Sequence, residues 1–368
     1  MTRVYIPVDI NNFKRGNPYP ALLLAALESA GCVVDHGLFH LSYNEKKWDI
    51  VSVQWPVALS EWREPKPEEL NWLDGRLLEL SRKAKIVVTI HNETPHYRAS
   101  QRFASLYNLV FKHASAFVHF GKVSEGILKK RYPDTTCGKV HRIIPHGNYE
   151  LFGGRISKEA ARGDLGLPQR AAIVLVMGSL RGEDEVDLLQ ESLPYWSGGK
   201  TMLLFMAQLP AKPALRYGSF YKRWVSEIRR YRFKNAIRRM PNGIYRPGDV
   251  EFGDMAKLLS AVDILLIPRR RTLNSGHVPL GFTYGVIVVG PDTGNIGDML
   301  RNTNNPVFDP DAGASSMSRA IKQGIDLIHS ELGESNRQLA VSEWSWQSIG
   351  LQYKMLFDDL RNTGLTDK

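Results

Sequence analysis

Two imidazoles and a carboxylate stand close together in His91-Asn92-Glu93-Thr94-Pro95-His96, directly after the apolar run 86–90. Such a set can supply a general base, hydrogen bonds to sugar hydroxyls, or metal ligands. No further ligand-type side chain lies at a suitable spacing, so no metal is expected. A group of opposite character is Arg269-Arg270-Arg271, followed by Asn274-Ser275-Gly276. Adjacent cations repel one another unless an anion is near, and an Asn-Ser-Gly turn ahead of a helical stretch can turn its N–H groups toward a phosphate. The plain alternative is a capped helix with solvated arginines. Gly178-Ser179-Leu180-Arg181-Gly182 adds a glycine turn and an arginine able to reach a diphosphate, and Thr293-Gly294-Asn295 a further turn at a helix start. The pattern is not GxGxxG and no Walker lysine follows, so dinucleotide and P-loop readings fail. Weaker signals are Gly16-Asn17, in the polar loop 9–20, and His146-Gly147, where a glycine lets backbone approach a ligand.

The elements that must position these loops follow from periodicity. Apolar strands are expected at 3–8, 33–34, 49–53, 86–90, 116–119 and 140–144, separated by helices at 21–30, 68–82, 101–113 and 122–131. Residues 151–170 read as a linker. A second series has strands at 171–177, 202–206, 264–267 and 286–289, with helices near 220–240, 254–261, 278–284, 296–301 and 315–329. Continuous rather than alternating apolar strands between helices indicate parallel sheets covered on both faces. The expected fold class is therefore α/β, with two Rossmann-like doubly wound domains, 1–150 and 171–341, and a last segment, 342–368, whose helix must pack elsewhere. In open parallel sheets ligands gather beyond the carboxyl ends of the strands, where these loops fall.

With 368 residues, 43% hydrophobic and 23% charged, the composition is that of a globular protein and excludes disorder, collagen-like repeats and coiled coil. Two cysteines cannot form a disulfide framework. The longest apolar runs fall short of the roughly 20 residues that span a bilayer, and the start of the chain has no leader-like apolar segment, so a cytoplasmic protein is expected. The net charge of +10 is uneven, because residues 211–250 hold 11 Lys and Arg against 2 Asp and Glu. Within them Lys222, Arg223, Arg229, Arg230, Arg232, Lys234, Arg238 and Arg239 share a helical stretch with Phe220, Trp224, Ile228 and Tyr231. That stretch suits a helix packed through its aromatic face, or attachment to an anionic membrane surface. Nucleic acid also attracts such residues, but no recognition module accompanies the patch, so this partner ranks low.

The order of these motifs resembles glycosyltransferases of the GT-B fold, in particular bacterial family 4-like sugar transferases of surface polysaccharide synthesis. Residues 89–96 resemble the histidine-bearing loop of the acceptor domain and 144–148 its closing strand end. Residues 274–280, 285–289 and 292–295 are similar to the donor-binding stretch, and 344–360 to a terminal helix crossing back to the first domain. The resemblance implies two domains facing across a cleft, an acceptor-binding one and a nucleotide-sugar-binding one. It implies His91 near the transferred sugar; an inverting reaction further needs a base for the acceptor hydroxyl, for which His91, Glu93 and Asp9 are the catalytic candidates, with Gly16, Asn17, His96, His146 and Gly147 toward the acceptor. Gly178, Ser179, Arg181, Arg269, Arg271, Asn274, Ser275, Gly276, Thr293, Gly294 and Asn295 fall to the donor. The implied partners are a nucleotide diphosphate sugar and a saccharide carried on a polyprenyl diphosphate, and the implied reaction is hexosyl transfer with no metal or other cofactor. Two departures stand out. The glutamates that bracket the donor loop in retaining members correspond to positions near Thr272 and at Leu280, and the lysine that follows the first donor-loop arginine is missing, with Glu183 and Glu185 nearby. Retaining and inverting chemistry both stay open, as does a catalytically inactive scaffold.

Overall fold

The computed structural model describes residues 1–10, 17–39, 47–92, 100–196, 199–210, 220–248 and 250–363. Contacts divide the chain into two compact units, Met1–Gly147 with Glu343–Lys368, and Asn148–Ser342.

In the first unit, strands β1 (Arg3–Ile6), β2 (Val33–His36), β3 (Ile50–Val53), β4 (Lys85–Ile90), β5 (Ala116–His119) and β6 (Val140–Ile143) form one parallel sheet in the order β2-β1-β3-β4-β5-β6. All of β3 and β5, and β4 beyond Lys85, are buried, which is why their sequences run apolar without alternation. The chain order reverses between β1 and β3, so the loops that leave these strands flank the switch point of the sheet. Helix Tyr19–Ser29 starts there with Pro20 in its first turn, where a missing N–H costs nothing. The final helix, Trp346–Asn362, is capped by Ser345, whose Oγ accepts the Ser348 N–H at 3.2 Å, and it packs on Tyr19–Ser29. Gly350 permits the approach: a Cβ there would run into the Ala26 carbonyl. The Tyr353 hydroxyl lies 3.2 Å from that of Tyr19 and 3.1 Å from Thr89 Oγ1, tying the last helix to the end of β4.

In the second unit, β7 (Ala172–Val176), β8 (Thr201–Phe205), β9 (Gly243–Tyr245), β10 (Ile264–Leu266), β11 (Ile287–Pro291) and β12 (Val307–Phe308) form a parallel sheet in the order β12-β11-β10-β7-β8-β9. Its switch point lies between β7 and β10. Residues 151–170 are not a bare linker. They contain helix Lys158–Leu165, capped by Ser157, and belong to the second unit. Arg162, only 3% exposed, donates to the Ala261 carbonyl at 2.8 Å and to Asp263 at 2.6 Å, while Asp263 also takes Lys158 and the Ile173 N–H. A buried cation held by a carboxylate and carbonyls replaces the apolar stripe that periodicity looks for. No helix among the described residues is long and apolar enough to cross a membrane.

Candidate functional site

The loops at the second unit's switch point are tied together by one carboxylate. Glu185, in the first turn of helix Glu183–Trp196, is 4% exposed; its Oε2 accepts the backbone N–H of Arg181 at 2.7 Å and Arg269 Nη1 at 2.8 Å. The loop after β7 and the loop after β10 therefore share an anchor. Arg269 is turned inward and ion-paired, Arg270 donates to the Pro310 carbonyl at 2.9 Å, and Arg271 is exposed. The adjacent cations are thus separated by the fold itself, and Arg269 anchors the two loops through Glu185.

Around this anchor, Gly178 takes φ +81° and a Cβ there would lie 2.9 Å from His277 Cε1, so only glycine lets the β7 loop meet that ring. His277 Nδ1 lies 3.3 Å from Ser275 Oγ, which also accepts the His277 N–H at 3.3 Å. Burial, reinforced by the charges of Arg269 and Arg181, holds the His277 imidazole down at about 4, so the ring is neutral at pH 7. His277 is a site residue that loop reading passed over, although it stands directly after Asn274-Ser275-Gly276. The loop after β11 is sewn to the same place: Asn295 Nδ2 donates to Asn274 Oδ1 at 2.7 Å and the Asn295 N–H to the Leu273 carbonyl at 2.9 Å. Asn295 is buried and braces Asn274, while Ser179 is exposed and Thr293 and Gly294 are partly exposed. Leu280, one of the two positions that the resemblance pairs with glutamates, is buried, and Thr272 Oγ1 donates to the Asn274 carbonyl at 3.0 Å.

In the first unit, successive strand ends each contribute an aromatic ring. Tyr19 opens the helix after β1, Trp55 follows β3, His91 follows β4, Phe120 follows β5 and His146 follows β6. His91 stacks on Trp55 at 4.3 Å and 26°, and meets Tyr19 at 4.8 Å and Phe120 at 5.0 Å edge-on. Gln54 Nε2 donates to Ser52 Oγ at 2.9 Å, which turns its Oε1 toward His91 Nε2 at 3.2 Å. His146 packs on Tyr19 and Phe120, with Nδ1 2.7 Å from the Gly147 carbonyl, and burial pushes it down to about 4. A Cβ on Gly147 would fall inside the Trp346 indole, so this glycine seats the last helix. The sequence places His91 and His146 correctly at strand ends but is silent on Tyr19, Trp55, Phe120 and Trp346, which hold them. Asn17 accepts the Tyr19 N–H at 3.1 Å through its side chain, as a helix-start brace. Gly16, Glu93 and His96 lie outside the described residues.

No family model and no curated protein matches the sequence. Solved structures do. Sucrose-phosphate synthase from Thermosynechococcus elongatus is similar with a TM-score of 0.71 at 15% identity, covering 99% of this chain and 100% of that one. A glycosyltransferase from Rickettsia africae gives 0.66 at 13% identity, covering 98% of each chain. HepE from Anabaena, in complex with UDP-glucose, gives 0.66 at 12% identity, covering 98% and 100%. The chain has the GT-B fold. The two Rossmann-like units are then the two domains of that fold, and the switch-point loops of the second GT-B unit are those built around Glu185, Arg269 and His277.

Three imidazoles of this GT-B chain, His119 buried and His146 and His277 half-buried, make acid the condition that weakens it. Burial holds His119 at about 3, with His141 adding to the effect, and His146 and His277 at about 4, against about 6.5 for an unfolded histidine. Between these values the unfolded chain binds more protons than the native one, so stability falls as the pH drops from about 6.5 toward 4. A loss of about 1–2 kcal/mol for each ring is expected between pH 7 and pH 5. Urea unfolding midpoints that stay level over this range would refute it.

Proposed function

We propose that this chain is a nucleotide-sugar glycosyltransferase that moves a hexose to a saccharide acceptor carried on a lipid. The observation that carries the reading is the second unit's switch point. Two loops fixed by one buried carboxylate there present Arg181, the exposed Arg271 and the Ser275–His277 turn at the carboxyl end of a GT-B sheet. A departing nucleoside diphosphate needs fixed positive charge and N–H donors, and this set provides both without a metal. The Anabaena neighbour holds UDP-glucose, which makes a UDP-hexose the first donor to try. His91 serves as the group that contacts the reacting sugar or the acceptor hydroxyl, its ring oriented by the stack on Trp55 and by Gln54.

The lipid part of the reading rests on helix Phe220–Arg239. Among its described side chains the buried ones are Ser226, Phe233 and Ile237, not Trp224, Ile228 or Tyr231 of the face that periodicity suggests. Tyr221, Trp224 and Tyr231 point outward instead, 73%, 62% and 68% exposed, with Arg232 and Arg238 exposed beside them. Aromatic rings flanked by arginines suit the headgroup layer of an anionic bilayer. Two measurements test the proposal. UDP at about 100 times its dissociation constant should stabilise the protein by roughly 2.7 kcal/mol, read as a rise in the melting midpoint over that with GDP, ADP or TDP. UDP-glucose turnover with a polyprenyl-diphosphate saccharide should increase in vesicles containing phosphatidylglycerol. No thermal response to any of the four nucleotides, together with no turnover, refutes the enzyme reading; turnover indifferent to the vesicles refutes its membrane part.

A further inference from the structure

The loop after β3 carries an unusual display of an aromatic side chain. Among the described residues, the non-glycine positions with positive φ are Glu61 at 53°, Trp62 at 63° and Asn304 at 57°, so two of the three are consecutive and lie here. Side chains with a Cβ adopt this conformation at a cost, and a chain end of this kind normally uses glycine or asparagine. Here it terminates the short helical turn Pro56–Ser60, with the Trp62 N–H on the Val57 carbonyl at 2.9 Å. The loop is also braced. Ser60 Oγ lies 2.8 Å from the Arg63 carbonyl, and Arg63 grips Glu69 with two bonds of 2.7 Å. What this bracing holds out is the Trp62 indole, 50% exposed, against Trp55 at 5.7 Å, which in turn stacks on His91. The loop leaves β3 at the switch point of the first sheet, where parallel sheets take their ligands.

We infer that Trp62 is a stacking platform for a sugar residue of the acceptor, one ring outward from Trp55 and two from His91. A pyranose presents an apolar C–H face that an indole matches, and strained backbone held by surrounding bonds is a mark of functional loops. Because the platform lies beyond the ring next to His91, it takes the sugar adjoining the one that reacts, so the acceptor has at least two sugar residues. The inference rests on the glycosyltransferase reading and specifies its acceptor.

The test titrates full-length protein, without donor, with methyl glycosides of glucose, galactose, mannose and N-acetylglucosamine and with their disaccharides, read by saturation-transfer NMR. Trp62→Ala and Trp62→Gly are compared with the wild type. Both should lose about tenfold in disaccharide affinity while monosaccharide and UDP affinities stay level. Trp62→Gly, freed of the left-handed strain, should melt no lower than Trp62→Ala, which separates lost stacking from lost folding. Unchanged disaccharide affinity in the variants, a loss of UDP affinity instead, or no wild-type binding to any saccharide in the panel overturns the platform. Hydrolysis of UDP-glucose, followed in parallel, reports on the glycosyltransferase reading by itself and keeps the two failures apart.

Discussion

Arg269→Ala is expected to lower the melting midpoint of the protein by roughly 10 °C, before any effect on nucleotide is considered. The arginine donates to Glu185 at 2.8 Å, and the pair is almost wholly buried, with 10% and 6% of the side-chain surfaces exposed. Removing one partner leaves a carboxylate without its counter-ion in a medium that solvates it poorly, at a cost of about 3–5 kcal/mol. Glu185 also accepts the Arg181 N–H, so the β7 loop loosens along with the β10 loop. Adding Glu185→Gln to Arg269→Ala removes the stranded charge and keeps an acceptor for that N–H, and should recover at least half of the loss. Arg181→Ala behaves differently: its side chain is exposed, so the midpoint should hold while UDP affinity falls. An Arg269→Ala protein that melts like the wild type but binds UDP poorly would make Arg269 a ligand contact instead of an anchor.

The pair also shows where sequence reading stops. The run 269–271 is legible as a concentration of charge at a strand end, but the residue that balances Arg269 lies 84 positions earlier and becomes its neighbour only through the order of β7 and β10. Strands such as Ile50–Val53 and Ala172–Val176 are legible because burial on both faces leaves an uninterrupted apolar run. Gly243–Tyr245 and Val307–Phe308 are edge strands of three and two residues and leave no such trace. Helix Glu183–Trp196 begins with three acids and carries Pro194 in its last turn, which hides the spacing of Val186, Leu189 and Leu193. On the basic helix, aromatic residues at helical spacing mark a face, but only packing decides which face is inward; Phe233 and Ile237 take that place. In the first unit, the histidines at strand ends are legible one by one, while the ring cluster needs a strand order and a tryptophan from the far end of the chain.

His91→Ala should lower turnover with UDP-glucose by about 10²–10³-fold, the usual cost of removing one preorganised polar group from a reacting centre. UDP affinity should stay within a factor of about two, because the loops built around Glu185 belong to the second unit and do not include His91. The alanine alone is ambiguous, since the imidazole also packs between Trp55, Tyr19 and Phe120 and its loss leaves a cavity among them. His91→Phe separates the two roles. A phenyl ring keeps the stack on Trp55 and lacks both nitrogens, so a chemical role predicts the same loss of turnover with the melting midpoint restored. A packing role predicts that His91→Phe is active. Gln54→Leu extends the argument by one bond: it removes the amide that orients His91 through Nε2 at 3.2 Å, and should give a smaller loss in the same direction, with kcat falling more than KM rises. If a ring nitrogen is what meets the substrate, restoring the ring's shape without its nitrogens cannot restore the reaction.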